Sequence, residues 1–300
     1  LGPFWRDAGI RRIVKLFLPI ALSVVVAAIG TIIDRNLASN TEATQTIAWM
    51  DYATRLIQLP LGLVAAAVSL AVLPDLSRAV ARIDESGYRN TLQLGLRMVL
   101  VLIIPATVGL FVLAGPIVGL LYERGAFNPA DTEIVAAALR LYLIGLSFAA
   151  IDQVLIISFY ARQDTLTPAL VGIAAIGVYL LVALPLLQPL QMFGLILAND
   201  AQHFSHAVVM LVLIQWRYRA LSGGMFRALI PRLVLASALM GLAVWGALLL
   251  MPAGTTVVGR MLAVTVPGVV GVGVYSAAVV LFRIEEAQLL ANLLMRKLRR

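Results

Sequence analysis

With 61% hydrophobic and only 13% charged residues over 300 positions, and a mean hydropathy of +0.97, the chain is too apolar for a soluble domain, in which about a quarter of residues carry charge. It reads as an integral membrane protein. The net charge of +8 does not point to nucleic acid, because the basic residues fill gaps between apolar runs, where topology and anionic headgroups account for them; zero cysteines exclude disulfides, thiolate metal sites and cysteine catalysis.

In chain order, Pro3 to Lys15 mixes Phe4, Trp5, Arg6, Arg11 and Arg12, a composition suited to the headgroup layer. A first span covers about Ile13 to Ile33 and closes on Asp34-Arg35; the second, about Thr46 to Leu76, contains Arg55, Pro60 and Gly62. Pro60 removes a backbone donor and predicts a kink just after the arginine. The third span runs from about Leu92 to Leu121, and the turn residues that follow it lead to a helix that Asp131 or Thr132 would cap. The remaining spans are about Ile134 to Tyr160, Pro168 to Leu187, Gln191 to Ile214, Ala228 to Met251 and Arg260 to Phe282; the tail from Arg283 to Arg300 patterns as a basic amphipathic helix on an anionic leaflet. The fold class is therefore all-α, a polytopic bundle of eight transmembrane spans.

Eight spans place both ends on one side. Arg78, Arg82, Arg89, Arg162, Arg217 and Arg219 then share that side with both termini, against Arg35, Arg124 and Arg260 opposite, so both ends are expected to be cytoplasmic.

Arg55 is the residue to explain. It opens an aliphatic run from Leu56 to Leu73, long enough to cross about 30 Å of hydrocarbon, and an arginine at bilayer depth costs roughly 2.5–3.5 kcal/mol. Two arrangements accommodate it: a wet cavity or anionic partner, or a helix end from which the guanidinium snorkels to the headgroups. Asp34 and Asp152 are intramembrane carboxylates that could pair with Arg55 or Arg140.

In the sixth span, Asn199, Gln202, His203 and His206 fall on one stripe with Asp200 on its flank. Interhelical hydrogen bonds or a polar cavity wall are the plain reading of that stripe; a proton relay is the functional one. No metal is expected, since His203 and His206 lack the spacing of a zinc motif, and no cofactor loop or catalytic acid cluster is present, which favours a transporter over an enzyme. Gly115-x-x-x-Gly119, and Gly268 with Gly271 and Gly273, read as close helix packing.

Five runs together resemble the MurJ/MviN family of lipid II flippases, within the MATE-like MOP superfamily: Trp49 to Gly62, Ala71 to Arg78, Thr91 to Arg97, Leu121 to Phe127, and Phe159 to Pro168. The resemblance implies the second lobe plus the final helix pair of a fourteen-helix flippase, with the N-terminal lobe, a partner in forming the cavity, outside this chain. On that basis residues 1–12 form a cytoplasmic interfacial segment, 13–219 a six-helix lobe, 220–282 two final helices bordering a lipid-tail groove, and 283–300 the basic tail. It further implies the bacterial inner membrane, lipid II and membrane lipids as partners, and Arg55 as the contact for the head-group pyrophosphate. Asp34, Asp152, Asn199, Asp200 and His203 are candidates for cavity or coupling roles. Departures from the family pattern are Thr54 where relatives can be acidic, Gln153 where a basic residue is common, and a fifth span without the Asn or Asp that could help coordinate a cation. The alternatives are a MATE-like or polysaccharide-lipid exporter, or a polyprenyl-phosphate glycosyltransferase, a reading that would gain if Asp34, Asp152 and Asp200 converged on one site.

Overall fold

The computed structural model describes residues 8–222, 224–251 and 256–284. The expected headgroup segment before residue 8, the Pro252-Ala253-Gly254 turn and the amphipathic tail beyond residue 284 lie outside them. Among the described residues there are eight long helices and one short one and no strand: α1 (Ala8–Ser39), α2 (Thr46–Ala71), the short α3 (Leu73–Ala81), α4 (Glu85–Tyr122), α5 (Pro129–Ala161), α6 (Leu166–Leu190), α7 (Met192–Tyr218), α8 (Met225–Leu249) and α9 (Val257–Leu281). Six described segments are long and apolar enough to cross a membrane; α2 and α3 together form one of them, and α4, α5, α6, α8 and α9 supply the others. The polar stripe of α7 explains why that helix falls short on composition alone.

The helix ends follow local chemistry. The expected second span breaks at Val72, because Pro74 stands in the first turn of α3 and has no N–H to continue the ladder. Asn128, not Asp131 or Thr132, caps α5: its side chain accepts from the amides of Ala130 and Asp131, and the Asp131 carboxylate returns a bond to the Asn128 amide, completing a capping box. In the α3–α4 turn, the Gly87 amide and then the Ser86 hydroxyl hold the Asp84 carboxyl below the usual carboxylate range. A single residue, Gln191, with φ of 50°, reverses the chain between α6 and α7. Gly194 lets the two helices meet there, since a Cβ would stand 2.5 Å from the Leu186 carbonyl oxygen.

Helix α5 is apolar on nearly every face and is the central post, packed against α2, α4 and α7, with Leu139, Leu143, Leu146, Leu155 and Phe159 buried. Apolar side chains such as Leu63, Leu70, Leu181 and Trp216 are exposed on the outside, as a lipid-facing surface requires. Helices α8 and α9 pair with each other and lean on α4 through Leu229, Leu233, Ala278 and Val279. Gly271 permits that pairing, because a Cβ would lie 2.6 Å from a Val244 methyl. Gly115, Gly268 and Gly273 face open space among the described residues, so the small-residue spacing overstated the close packing there.

Both ends of the bundle are tied. At one end the Trp49 indole donates to Asp131 at 2.9 Å, and Arg260 of α9 reaches Glu123 at 2.6 Å and the Glu123 carbonyl at 3.0 Å. At the other, the Arg162 guanidinium lies between the rings of Tyr88 and Tyr218, 4.0 and 3.9 Å from their centroids, and pairs with Glu85 at 2.6 Å.

Candidate functional site

Among the described residues, the candidate side chains line two hollows between the helices, and the helical period builds both. In the first, of about 370 Å³, α1 presents Thr31, Asp34, Arg35 and Ala38, and α2 presents Asp51, Thr54, Arg55 and Gln58. Each set has the i, i+3, i+4, i+7 spacing that places four side chains on one face. The opposite face of α2 is fixed by buried Ala53 and Leu56, with Met50 at the edge of the hollow, which sets the rotation of the helix and turns its polar stripe to the hollow. Tyr142 of α5 completes the wall.

The charges in this hollow are unevenly satisfied. Arg35 grips Asp51 with both arms of its fork, at 2.9 and 3.4 Å. Asp34 accepts a hydrogen bond from the Tyr179 hydroxyl of α6 at 2.5 Å. Arg55 is exposed, and no carboxylate among the described residues pairs with it. The expected partners are engaged elsewhere: Asp34 by Tyr179, Asp152 by His206. Arg140 likewise finds no carboxylate, and donates to the Phe111 carbonyl at 3.2 Å. Arg55 is thus left with its donors directed at a hollow, an arrangement suited to an anion with paired oxygens.

The second hollow, about 220 Å³, lies between α5, α6, α7 and the wall of α1 at Val26 and Ala27. Asp152 and Tyr160 come from α5, Pro168 and Gly172 from α6, and Gln202, His203 and His206 from α7. His206 Nδ1 is 2.6 Å from Asp152 Oδ1, both side chains being nearly buried. Asp200 points instead at α5, where Gly145 leaves the room its carboxylate occupies, and its Oδ2 has no hydrogen-bond partner among the described residues. Asn199 is half-buried and lines neither hollow. The three carboxylates therefore do not converge: Asp34 belongs to the first hollow, Asp152 to the second and Asp200 to the α5–α7 contact.

A family model described as lipid II flippase MurJ matches residues 1–266. The chain belongs to the lipid II flippase MurJ family. Among its relatives, the probable lipid II flippase MurJ of Vibrio cholerae is 39% identical over 171 residues, 57% of this chain and 32% of that protein. The corresponding protein of Rhizobium meliloti is 32% identical over 237 residues, 79% of this chain and 44% of the relative. A solved lipid II flippase MurJ in an inward closed conformation superposes with a TM-score of 0.74 at 25% identity, covering 90% of this chain and 54% of that one. An outward-facing multidrug resistance MATE transporter of the MOP superfamily shares the fold alone, with a TM-score of 0.57 at 15% identity, over 92% of this chain and 66% of that one. The chain spans about a third to a half of the length of the MurJ relatives it matches.

Within this member of the family, sequence reasoning missed Tyr179 and the Arg35–Asp51 pair. The signal for Tyr179 was a lone hydroxyl in an otherwise aliphatic span; for the pair it was the matching four-residue stripes of α1 and α2, visible only once the two helices are set side by side.

Proposed function

We propose that this chain is the part of a lipid II flippase that receives the anionic head of the lipid-linked precursor, with Arg55 as the contact for its pyrophosphate. The observation that carries the reading is a guanidinium without a carboxylate partner, facing a hollow of about 370 Å³ on a helix of a MurJ-family bundle. A pyrophosphate offers two oxygens at the spacing of the guanidinium fork and compensates its desolvation. Arg35 stands one helix away and is held by Asp51, while the Asp34 carboxyl is held by the Tyr179 hydroxyl, so neither is paired with Arg55. The membrane is read as the bacterial cytoplasmic membrane, with the end of the bundle bearing Arg78, Arg162 and Arg217 on the cytoplasmic side; the excess of basic residues there supports that orientation. The head group would pass between this bundle and an N-terminal lobe by rocking of one against the other.

The test is substitution in the full-length protein, read by rescue of a flippase-depleted strain and by lipid II translocation in vesicles. Arg55→Ala is expected to abolish both with insertion unchanged, and Arg55→Lys to retain charge yet lose most activity, because an ammonium cannot bind two oxygens in the plane. Full rescue by Arg55→Ala would remove the basis of the reading.

A further inference from the structure

The second hollow holds a pair of groups for which the proposed grip at Arg55 has no use. His206 faces an acceptor on each ring nitrogen: the Asp152 carboxylate at 2.6 Å from Nδ1, and the Pro168 carbonyl oxygen, a longer contact of 3.4 Å, from Nε2. A neutral imidazole has one N–H, so it satisfies one acceptor and turns a lone pair on the other. The imidazolium has two and satisfies both. Gly172 borders this edge of the ring, where a Cβ would make an ordinary van der Waals contact of 3.8 Å with Nε2.

Four helices wall the ring. From α5 come Asp152 and Tyr160; from α7 itself, His203 and the neutral Gln202; from α6, the Pro168 carbonyl and Gly172; and from α1, Val26 and Ala27. Asp152 is the one carboxylate on these walls among the described residues, so nothing there competes with it for the charge on the ring. Both members of the pair border the hollow, which gives a proton a route to them.

We infer that the Asp152–His206 pair is a proton-binding site within the helix bundle, formed by the carboxylate of α5, the ring of α7 and a carbonyl of the first turn of α6. In the occupied form, a proton from the aqueous phase has formed the second N–H bond on the ring, and a neutral imidazole beside a carboxylate becomes an imidazolium–carboxylate ion pair. That form links three helices; loss of the proton breaks the link to α6 and leaves α5 and α7 joined. The site deepens the proposed function by supplying a cation that could accompany an anionic cargo, yet its existence does not depend on transport.

The chain contributes two histidines, His203 and His206, and single substitutions assign their imidazole signals. In the full chain labelled with ¹⁵N-histidine in lipid nanodiscs near pH 7, one imidazole is expected to carry protons on both nitrogens, to vanish in His206→Gln, and to become a neutral tautomer in Asp152→Asn, with the His203 signal retained. A His206 ring that stays neutral from about pH 5 to 8 overturns the inference, as does an imidazolium that survives Asp152→Asn. The unsubstituted chain alone reports the charge state if either variant fails to insert. Because no translocation is measured, failure here leaves the role of Arg55 standing, and failure of the Arg55→Ala test leaves this site standing.

Discussion

The two hollows share one design principle and differ in what they hold. Along the first, α1 and α2 align two arginines and two aspartates; Arg35 and Asp51 hold each other, Asp34 is held by Tyr179, and the guanidinium of Arg55 is left over for a visitor. Along the second, α5 and α7 bring a carboxylate and an imidazole together where both are nearly buried. The contrast lies in two residues: Arg55, which cannot shed its proton, is placed where an anion can reach it, while His206, which can change charge, is placed where each change is felt by the packing.

If that contrast is right, substitutions in the two places should differ in what they damage. The largest stability loss is expected for Asp152→Ala, about 3 kcal/mol, because it leaves the nearly buried His206 N–H without its acceptor; unfolding of the purified protein in detergent would measure it, and a loss below about 1 kcal/mol would make the pair no stronger than a surface contact. Next comes Gly145→Ala, which sets a methyl against the Asp200 carboxylate and its backbone and should cost about 1–3 kcal/mol; a companion Asp200→Ala change should return much of it. Asp51→Asn should alter stability by less than about 1 kcal/mol, since the two side chains of that ion pair are 49% and 40% exposed, while freeing Arg35 to compete for an anion in the first hollow.

The smallest effect is expected outside both hollows. The Asp84 carboxyl is held below the ordinary range by the Gly87 amide, so its contribution is complete above the unfolded value of about 3.9 and is lost as pH falls through the lower folded value. Protection of the Gly87 amide, its exchange rate measured against the intrinsic rate at the same pH, should fall only in that acidic window, with the interior of α5 unaffected; a fall in protection near neutral pH would contradict the assignment.

The sequence disclosed what a single helix can disclose. Arg55 stood out because a permanent charge at the head of an aliphatic run needs a reason, and the α7 stripe because its polar side chains repeat at the helical period. Pairings between helices were hidden. Asp152 and His206 were each visible, but their meeting depends on the register of α5 against α7, and Asp34 finds Tyr179 across 145 positions of chain. Glycine spacing misled for a related reason: Gly268, Gly271 and Gly273 look alike as letters, yet the rotation of α9 directs just one of them at Val244. At the start of α5 the signal was read one turn late, because the capping box makes Asn128 and Asp131 partners and either could be taken for the cap.

One further consequence follows from Arg162, wedged between Tyr88 and Tyr218 and fastened to Glu85. A guanidinium keeps its charge throughout the physiological range, so this rivet through α4, α5 and α7 holds at any acidity a cell meets. Should a proton arriving at His206 loosen or tighten the neighbouring helices, they would have to swing about this point as a fulcrum, and the amplitude of their movement would grow with distance from it, toward the hollow where Arg55 waits.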